Sequence, residues 1–439
     1  MEGATIPELL GLYDRSSGVT TDSRQCGPGK LYFALKGERF DGNQYAQEAL
    51  QKGCIAAIVD DKDLQGEGLV HVDDSLTALQ AVAHAHRMRF SCPVFGLTGS
   101  NGKTTTKELL KAVLAKRYAV FATRGNLNNH IGVPLTLLSI PVDAEFAIVE
   151  MGANHQGEIA ALSEMAAPTH GMITNVGLAH LEGFGGVEGV KKGKQELYRY
   201  LAASGGKAFV NATDRDLLAL SELDGLGRIL YGSEAHPPHA WRTDERVDAP
   251  ICWTQEPGHL PGPWHADAGG LEVLLHGQHQ LDNLKAAIAV GVHFEVAPAD
   301  INAALRAFQP VDQRGETVET DRNVVIVDCY NANPSSVEST LRSFAAGSHD
   351  HPPLAILGDM KELGEHAAQG HQMVRDVAKS CGLECWVVGA DFAEHAPGDR
   401  TFGDIASLRA ELTSRPLSHR TVLLKGSRSM QMEGLVEVL

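Results

Sequence analysis

The stretch whose residue types carry the most chemistry is Pro93 to Lys107, PVFGLTGSNGKTTTK. It opens apolar with Val94, Phe95 and Leu97, turns on Gly99 and Gly102, and reads as a helix from Lys103 onward. A strand, a glycine turn and a helix N-terminus aim backbone N–H groups and the positive end of a helix dipole at an anion. Lys103 adds a point charge and Thr104 a hydroxyl that can hold Mg²⁺. Gly99, Ser100, Asn101, Gly102, Lys103, Thr104 and Thr105 therefore form a candidate phosphate cradle, although Leu97 stands where G-x-x-x-x-G-K-[ST] has its first glycine. Downstream, Glu145 to Val149 has a buried-strand pattern and ends in Glu150. A carboxylate at the carboxyl end of a parallel strand beside a phosphate loop is where a Mg²⁺ ligand belongs.

The elements that position these groups must be shared among more than one core, because 439 residues imply two or three domains. A composition of 43% hydrophobic and 21% charged residues is that of an ordinary globular chain. The net charge of −17 argues against nucleic-acid or anionic-membrane binding, so phosphate must be held by local Lys, Arg, N–H groups and metal ions. MEGATIPELL lacks a signal peptide's basic region and long apolar run, and no later run suffices for membrane insertion. The expectation is a cytoplasmic chain whose seven cysteines are reduced, with Cys381 and Cys385 lacking the partners of a zinc site. The pairs His84/His86 and His236/His239 read as solvated surface.

Residues 1–91 read as a small α/β unit, with a strand at Leu31 to Leu35, a helix at Tyr45 to Lys52, a strand at Cys54 to Val59 and a helix at Ser75 to Arg89. Ser23-Arg24 and Lys36-Gly37 could meet a phosphate, but by residue type they read as a salt-bridged surface turn. Residues 92–309 contain the phosphate loop, the polar loop Gly125 to Asn129 before a helix, and a strand expected at Ile173 to Val176. His180 and Glu182 follow, then a helix with Lys191, Lys192 and Lys194, whose three lysines by type are a solvated face, as are Asp214, Arg215 and Asp216. Glu234 to Gly270 reads as irregular, and Gly277 to Asn283 opens a helix whose polar start contacts a base or caps the helix. Residues 310–439 alternate again: strands at Val324 to Val327, Leu354 to Leu357, Trp386 to Val388 and Val422 to Leu424 each end in a polar loop, as in a doubly wound sheet with its site at the carboxyl edge.

Taken in order, DSRQCGPGKLYFALKGERFDG, TGSNGKTTTKE, GNLNNHIGVPLTLL, VEMGANHQGEIA, AHLEGFG, YNANPSS, LGDMKELGE and LLKGSRSMQME resemble the Mur ligase family of cell-wall synthesis over nearly the whole chain. The resemblance implies an α/β chain of three domains: a small N-terminal substrate domain, a central P-loop ATPase domain with a mainly parallel sheet, and a C-terminal Rossmann-like domain. It also implies ATP-driven amide formation through an acyl phosphate. The GANHQGEI, GDMKELG and KGSRSMQME stretches match the branch that adds D-alanyl-D-alanine to UDP-N-acetylmuramoyl-tripeptide. Residue by residue, it places ATP phosphates on Lys103, Mg²⁺ at two sites on Thr104, Glu150, His180 and a carbamylated Lys194, and adenine on Asn283. Further ATP contacts fall on Arg314 and Asp328, UDP binding on Ser23, Arg24, Lys36 and Gly37, and the dipeptide on Asn331, Asn333 and Ser335. Gln280 departs from the family's usual Asn. The expected partners are these two substrates, with a monomeric enzyme and no nucleic acid. The competing readings are a neighbouring Mur or folylpolyglutamate-type ligase and a non-catalytic nucleotide-binding scaffold; the joint presence of Glu150, His180, Lys194 and Asp328 speaks against the scaffold.

Overall fold

The computed structural model describes residues 3–38, 40–232, 278–309, 314–398 and 400–439, without the side chains of 278, 279 and 314. The segment Glu234 to Gly270, with His236 and His239, lies outside the described residues. Three main sheets follow one another along the chain.

The first is parallel, in the order Val19–Thr20, Leu31–Phe33, Ala56–Val59, Leu69–His71. A small antiparallel pair, Lys36–Gly37 with Phe40–Asp41, stands beside it. The middle sheet has six parallel strands in the order Gly227–Tyr231, Lys207–Asn211, His170–Ile173, Val94–Thr98, Phe146–Glu150, Val120–Ala122. All residues of Val94–Thr98 and Phe146–Glu150 are buried, as strands covered on both faces must be. From Val94–Thr98 the chain runs to one edge, returns to Phe146–Glu150, and then crosses to the other side at His170–Ile173. The carboxyl ends beside Val94–Thr98 are therefore the switch point at which an open α/β sheet forms a crevice.

The third sheet runs Arg314–Glu319, Val324–Asp328, Thr421–Lys425, Pro353–Gly358, Glu384–Val388, Thr401–Phe402, parallel except for its first pair. Sequence reasoning found four of these six strands. Arg314–Glu319 is a polar antiparallel edge with a register shift between 314 and 316, and Thr401–Phe402 has only two residues, so neither carries an apolar run. A second correction concerns Ile173 to Val176. The strand is His170–Ile173; Thr174, Asn175 and Val176 leave the sheet, and the first two brace the phosphate loop.

The first two sheets share one apolar cluster. Leu79, Val82 and Phe90 pack in it together with Val133, Leu137 and Val149. The helix Ser75–Arg87 is the joint. Arg87 donates to the carbonyls of Ala166 (2.8 Å) and Ala167 (2.6 Å), and Tyr13 donates to that of Leu138 (2.7 Å). His86, expected in solvent, is buried here with Nε2 2.7 Å from the Ile140 carbonyl. Its position on the inner face of the helix, not its polarity, decides its burial. The third sheet carries its own apolar layers on each face.

On the other face of the middle sheet, helices Lys103–Leu114 and Gln278–His293 pack over Phe95, Leu97, Phe146 and Phe209. His170 joins Phe209, His293 and Phe294 in an aromatic group at its edge. Burial, with smaller contributions from His293 and Lys207, pushes the His170 imidazolium down to about 4. The folded chain thus resists a proton that the unfolded chain takes up near pH 6.5. Stability from this group is present above pH 6.5 and lost as pH falls toward 4. His170→Gln is expected to flatten that limb by about 2–3 kcal/mol in denaturant titrations at pH 7 and pH 4.5.

Candidate active site

Gly99 has φ +143°, and a Cβ there would lie 1.9 Å from the Thr174 hydroxyl. Gly102 has φ +78°, and a Cβ would meet the Asn283 side chain at 2.7 Å. Only glycine fits either position. The loop between them is stapled to the end of the neighbouring strand. Ser100 N–H donates to the Asn175 carbonyl (3.1 Å), Asn101 N–H to Asn175 Oδ1 (3.0 Å), and Thr174 Oγ1 and Asn175 Nδ2 donate to the Asn101 carbonyl (2.6 and 3.0 Å). Two loop N–H groups expected to face phosphate are thus spent on bracing. The N–H groups of Thr104 and Thr105, in the first turn of the helix Lys103–Leu114, have no carbonyl within the helix to meet and suit an anion. Lys103 Nζ donates to the Gly99 (2.7 Å) and Ser100 (3.3 Å) carbonyls, which holds the cation at the loop.

Glu150, buried at the end of its strand, lies 3.2–3.3 Å from the Thr104 hydroxyl, and Asn128 Nδ2 donates to it at 2.9 Å. A carboxylate and a hydroxyl converging at the mouth of a phosphate cradle suit a hard cation such as Mg²⁺. Sequence reasoning missed what lies behind them. Lys107 is fully buried, with Nζ 3.2 Å from Glu108 and 3.5 Å from Glu150. Its place four residues after Lys103, on the same helix face, was the available signal.

The third sheet closes the site from the opposite side. Asn333 Nδ2 donates to Asn101 Oδ1 (2.7 Å), and Asn101 Nδ2 donates to Ser335 Oγ (3.0 Å). His180 Nδ1 lies 2.6 Å from Glu362 Oε2, and this bond is the chief cause that holds the Glu362 carboxyl below its ordinary range. At the ends of adjacent strands, buried Lys425 donates to Asp328 at 2.6 Å, and Thr340 donates to the same carboxylate at 3.2 Å. Glu362 and Lys425 sit in motifs noted in the sequence, but nothing there showed which partners they meet.

A cavity of about 1890 Å³ spans these elements. Its walls include Lys103, Glu150, His180, Asn283, Asp328 and Asn331. Asn283 stands against the loop with both ends of its amide engaged: Oδ1 accepts from Thr106 (3.0 Å) and Nδ2 donates to Gln280 (2.7 Å). The side chain of Arg314 lies outside the described residues, and its backbone pairs with Asp328. Ser23, Arg24, Lys36 and Gly37 stand apart on the first sheet's unit. Arg24 is paired with Asp22 (2.8 Å) and Lys36 with Asp60 (2.9 Å).

Lys194, expected by type on a solvated face, is 2% exposed and lies over the Phe184 ring at 5.2 Å. Burial, reinforced by the Lys103 charge and opposed by Glu158 and Glu196, pushes its ammonium down to about 7. Among the described residues one further carboxylate–histidine group, Asp359, His371 and Asp391, occurs in the C-terminal part. Lys361 Nζ already bridges its carboxylates at 3.1 and 2.7 Å, which takes the place of a cation.

Family comparisons match the chain at residues 15–87 (Mur ligase family, catalytic domain), 97–291 (Mur ligase middle domain) and 313–428 (Mur ligase, glutamate ligase domain). The UDP-N-acetylmuramoyl-tripeptide–D-alanyl-D-alanine ligase of Bacillus subtilis is 32% identical, covering 96% of this chain and 93% of its own. The chain belongs to the Mur ligase family. Its structure is similar to that of MurF from Acinetobacter baumannii (TM-score 0.84, 29% identity, 100% and 98% of the two chains). It is also similar to that of the Thermotoga maritima MurF ligase in complex with ADP (TM-score 0.81, 27% identity, 97% of each chain). A Mur ligase thus carries its phosphate loop between two sheets, braced by one and capped by the other.

Removing one partner of a buried ion pair leaves the other charge uncompensated. Lys107→Met is expected to lower unfolding stability by about 3–5 kcal/mol, read from denaturant titration in a chelator.

Proposed function

We propose that this chain is an ATP-dependent ligase that joins D-alanyl-D-alanine to UDP-N-acetylmuramoyl-tripeptide. The single observation that carries this reading is one cavity in which the phosphate cradle, Glu150 and the Asn331–Ser335 loop of the third sheet face each other. Near-full-length similarity to ligases named for that reaction, and to a family structure holding ADP, supports it.

Joining a carboxylate to an amine requires a better leaving group than oxide. The substrate carboxylate oxygen attacks the ATP γ-phosphorus, the bond to the β-phosphate oxygen breaks, and ADP leaves. The dipeptide's amine nitrogen then attacks the acyl carbon, inorganic phosphate departs with the bonding pair, and the nitrogen loses a proton. Bringing two unit charges of like sign to about 4 Å costs about 4 kcal/mol at an effective dielectric near 20. Lys103 and the first-turn N–H groups offset that cost at the γ-phosphate. Thr104, Glu150, His180 and Lys194 carrying a carbamate would hold Mg²⁺ at two sites, which would supply positive charge for the phosphate oxygens. A carbamate forms on a neutral amine, and the depressed Lys194 ammonium supplies one near neutral pH. Asn283, which stands against the loop, would contact adenine, with Asp328 and Arg314 completing the ATP site. Ser23, Arg24, Lys36 and Gly37 take the UDP group, and Asn331, Asn333 and Ser335 line the dipeptide pocket.

Lys103→Ala should lower ADP release that depends on both substrates by at least about 10²–10³-fold; a near-normal rate would refute the assignment. Lys194→Ala should be inactive and partly restored by short carboxylic acids, which return the missing anion. Full activity without such acids would remove the carbamate. Omission of D-alanyl-D-alanine, or its replacement by glutamate or diaminopimelate, separates this reaction from those of neighbouring ligases.

A further inference from the structure

His180 and Glu362 are brought together across the seam between the middle and C-terminal sheets, and both have left-handed backbones, at φ 53° and 66°. Such a conformation is strained for a residue with a Cβ. Two such residues facing each other are held there by their surroundings, and the 2.6 Å contact between Nδ1 and Oε2 is what joins them. His180 precedes the short helix Leu181–Phe184, and Glu362 follows the strand Pro353–Gly358 by four residues. With Nδ1–H donating to the carboxylate, Nε2 keeps its lone pair for a metal. A carboxylate behind a ligating imidazole fixes the tautomer and the ring's direction.

We propose that Glu362 is the positioning residue for His180, so that the C-terminal domain must be seated before the imidazole is a competent ligand. This rests on the reading of His180 as a Mg²⁺ ligand. Metal on Nε2 strengthens the Nδ1–H bond to Glu362, and by linkage a seated C-terminal domain raises metal affinity by the same factor. The two domains are thereby coupled through one side-chain pair, in addition to any contact they make with substrate.

The test uses the full-length chain with ADP and Mn²⁺, with free Mn²⁺ followed by electron paramagnetic resonance. Glu362→Ala is expected to weaken Mn²⁺ binding about 10–100-fold, and Glu362→Gln, which keeps an acceptor without the charge, by less. Glu362 is 56% exposed on its side chain, so thermal unfolding should not move. Mn²⁺ should also compact the parent chain in small-angle scattering and leave the Glu362→Ala chain unchanged. His180→Ala is measured alongside. If His180→Ala weakens Mn²⁺ binding and Glu362→Ala does not, the positioning role is overturned and the ligand assignment stands. If neither variant changes the affinity, the ligand assignment itself falls and takes this inference with it.

Discussion

Asn101 is the pin on which the site turns. Its backbone N–H and carbonyl are held by Asn175, and its side-chain amide is held by Asn333 and Ser335. One residue of the phosphate loop is thus fixed by the neighbouring strand end and by the C-terminal domain at once. A loop required to meet a triphosphate must be shaped before the ligand arrives, or binding pays for the ordering. The brace from Thr174 and Asn175 supplies that shape.

The two seams of the molecule differ in kind. The first unit joins the middle one through a continuous apolar cluster and buried polar anchors such as Arg87. The C-terminal sheet has its own apolar layers and reaches the phosphate loop through side-chain hydrogen bonds and the His180–Glu362 pair. Neutral hydrogen bonds contribute about 1 kcal/mol each, so this seam is held more weakly per contact than an apolar one. An apolar seam of the first kind cannot open without exposing core. A polar seam at the catalytic side suits an enzyme that admits three substrates and releases three products.

Charge follows the same division. The chain's net −17 is offset locally by Lys103 at the loop, Lys107 behind Glu150, and Lys425 against Asp328. Each cation lies at the carboxyl edge of a parallel strand or on the first helix after one. Burial separates Lys107 and Lys425 from the solvated lysines, with Lys103 only partly covered, and sequence alone does not report burial. Lys194 reads by type like its neighbours Lys191 and Lys192, yet it is buried while Lys191 pairs with Asp216 at the surface.

The sequence by itself determined the local code: the order strand, glycine turn, lysine and hydroxyl, the carboxylate ending the next strand, and the alternation of strand and helix. These are short-range patterns, because helix and strand periods and turn chemistry act over a few residues. Only the tertiary structure decided which strand ends become neighbours, and with them the Asn101–Asn333, His180–Glu362 and Asp328–Lys425 pairs. Those partners lie from about 100 to more than 200 residues apart, and nothing in either member's own surroundings specifies the other. The displacement of the expected strand at 173–176 has the same origin. Its β-branched residues favour extension, but hydrogen bonds to a loop more than 70 residues away claim them first.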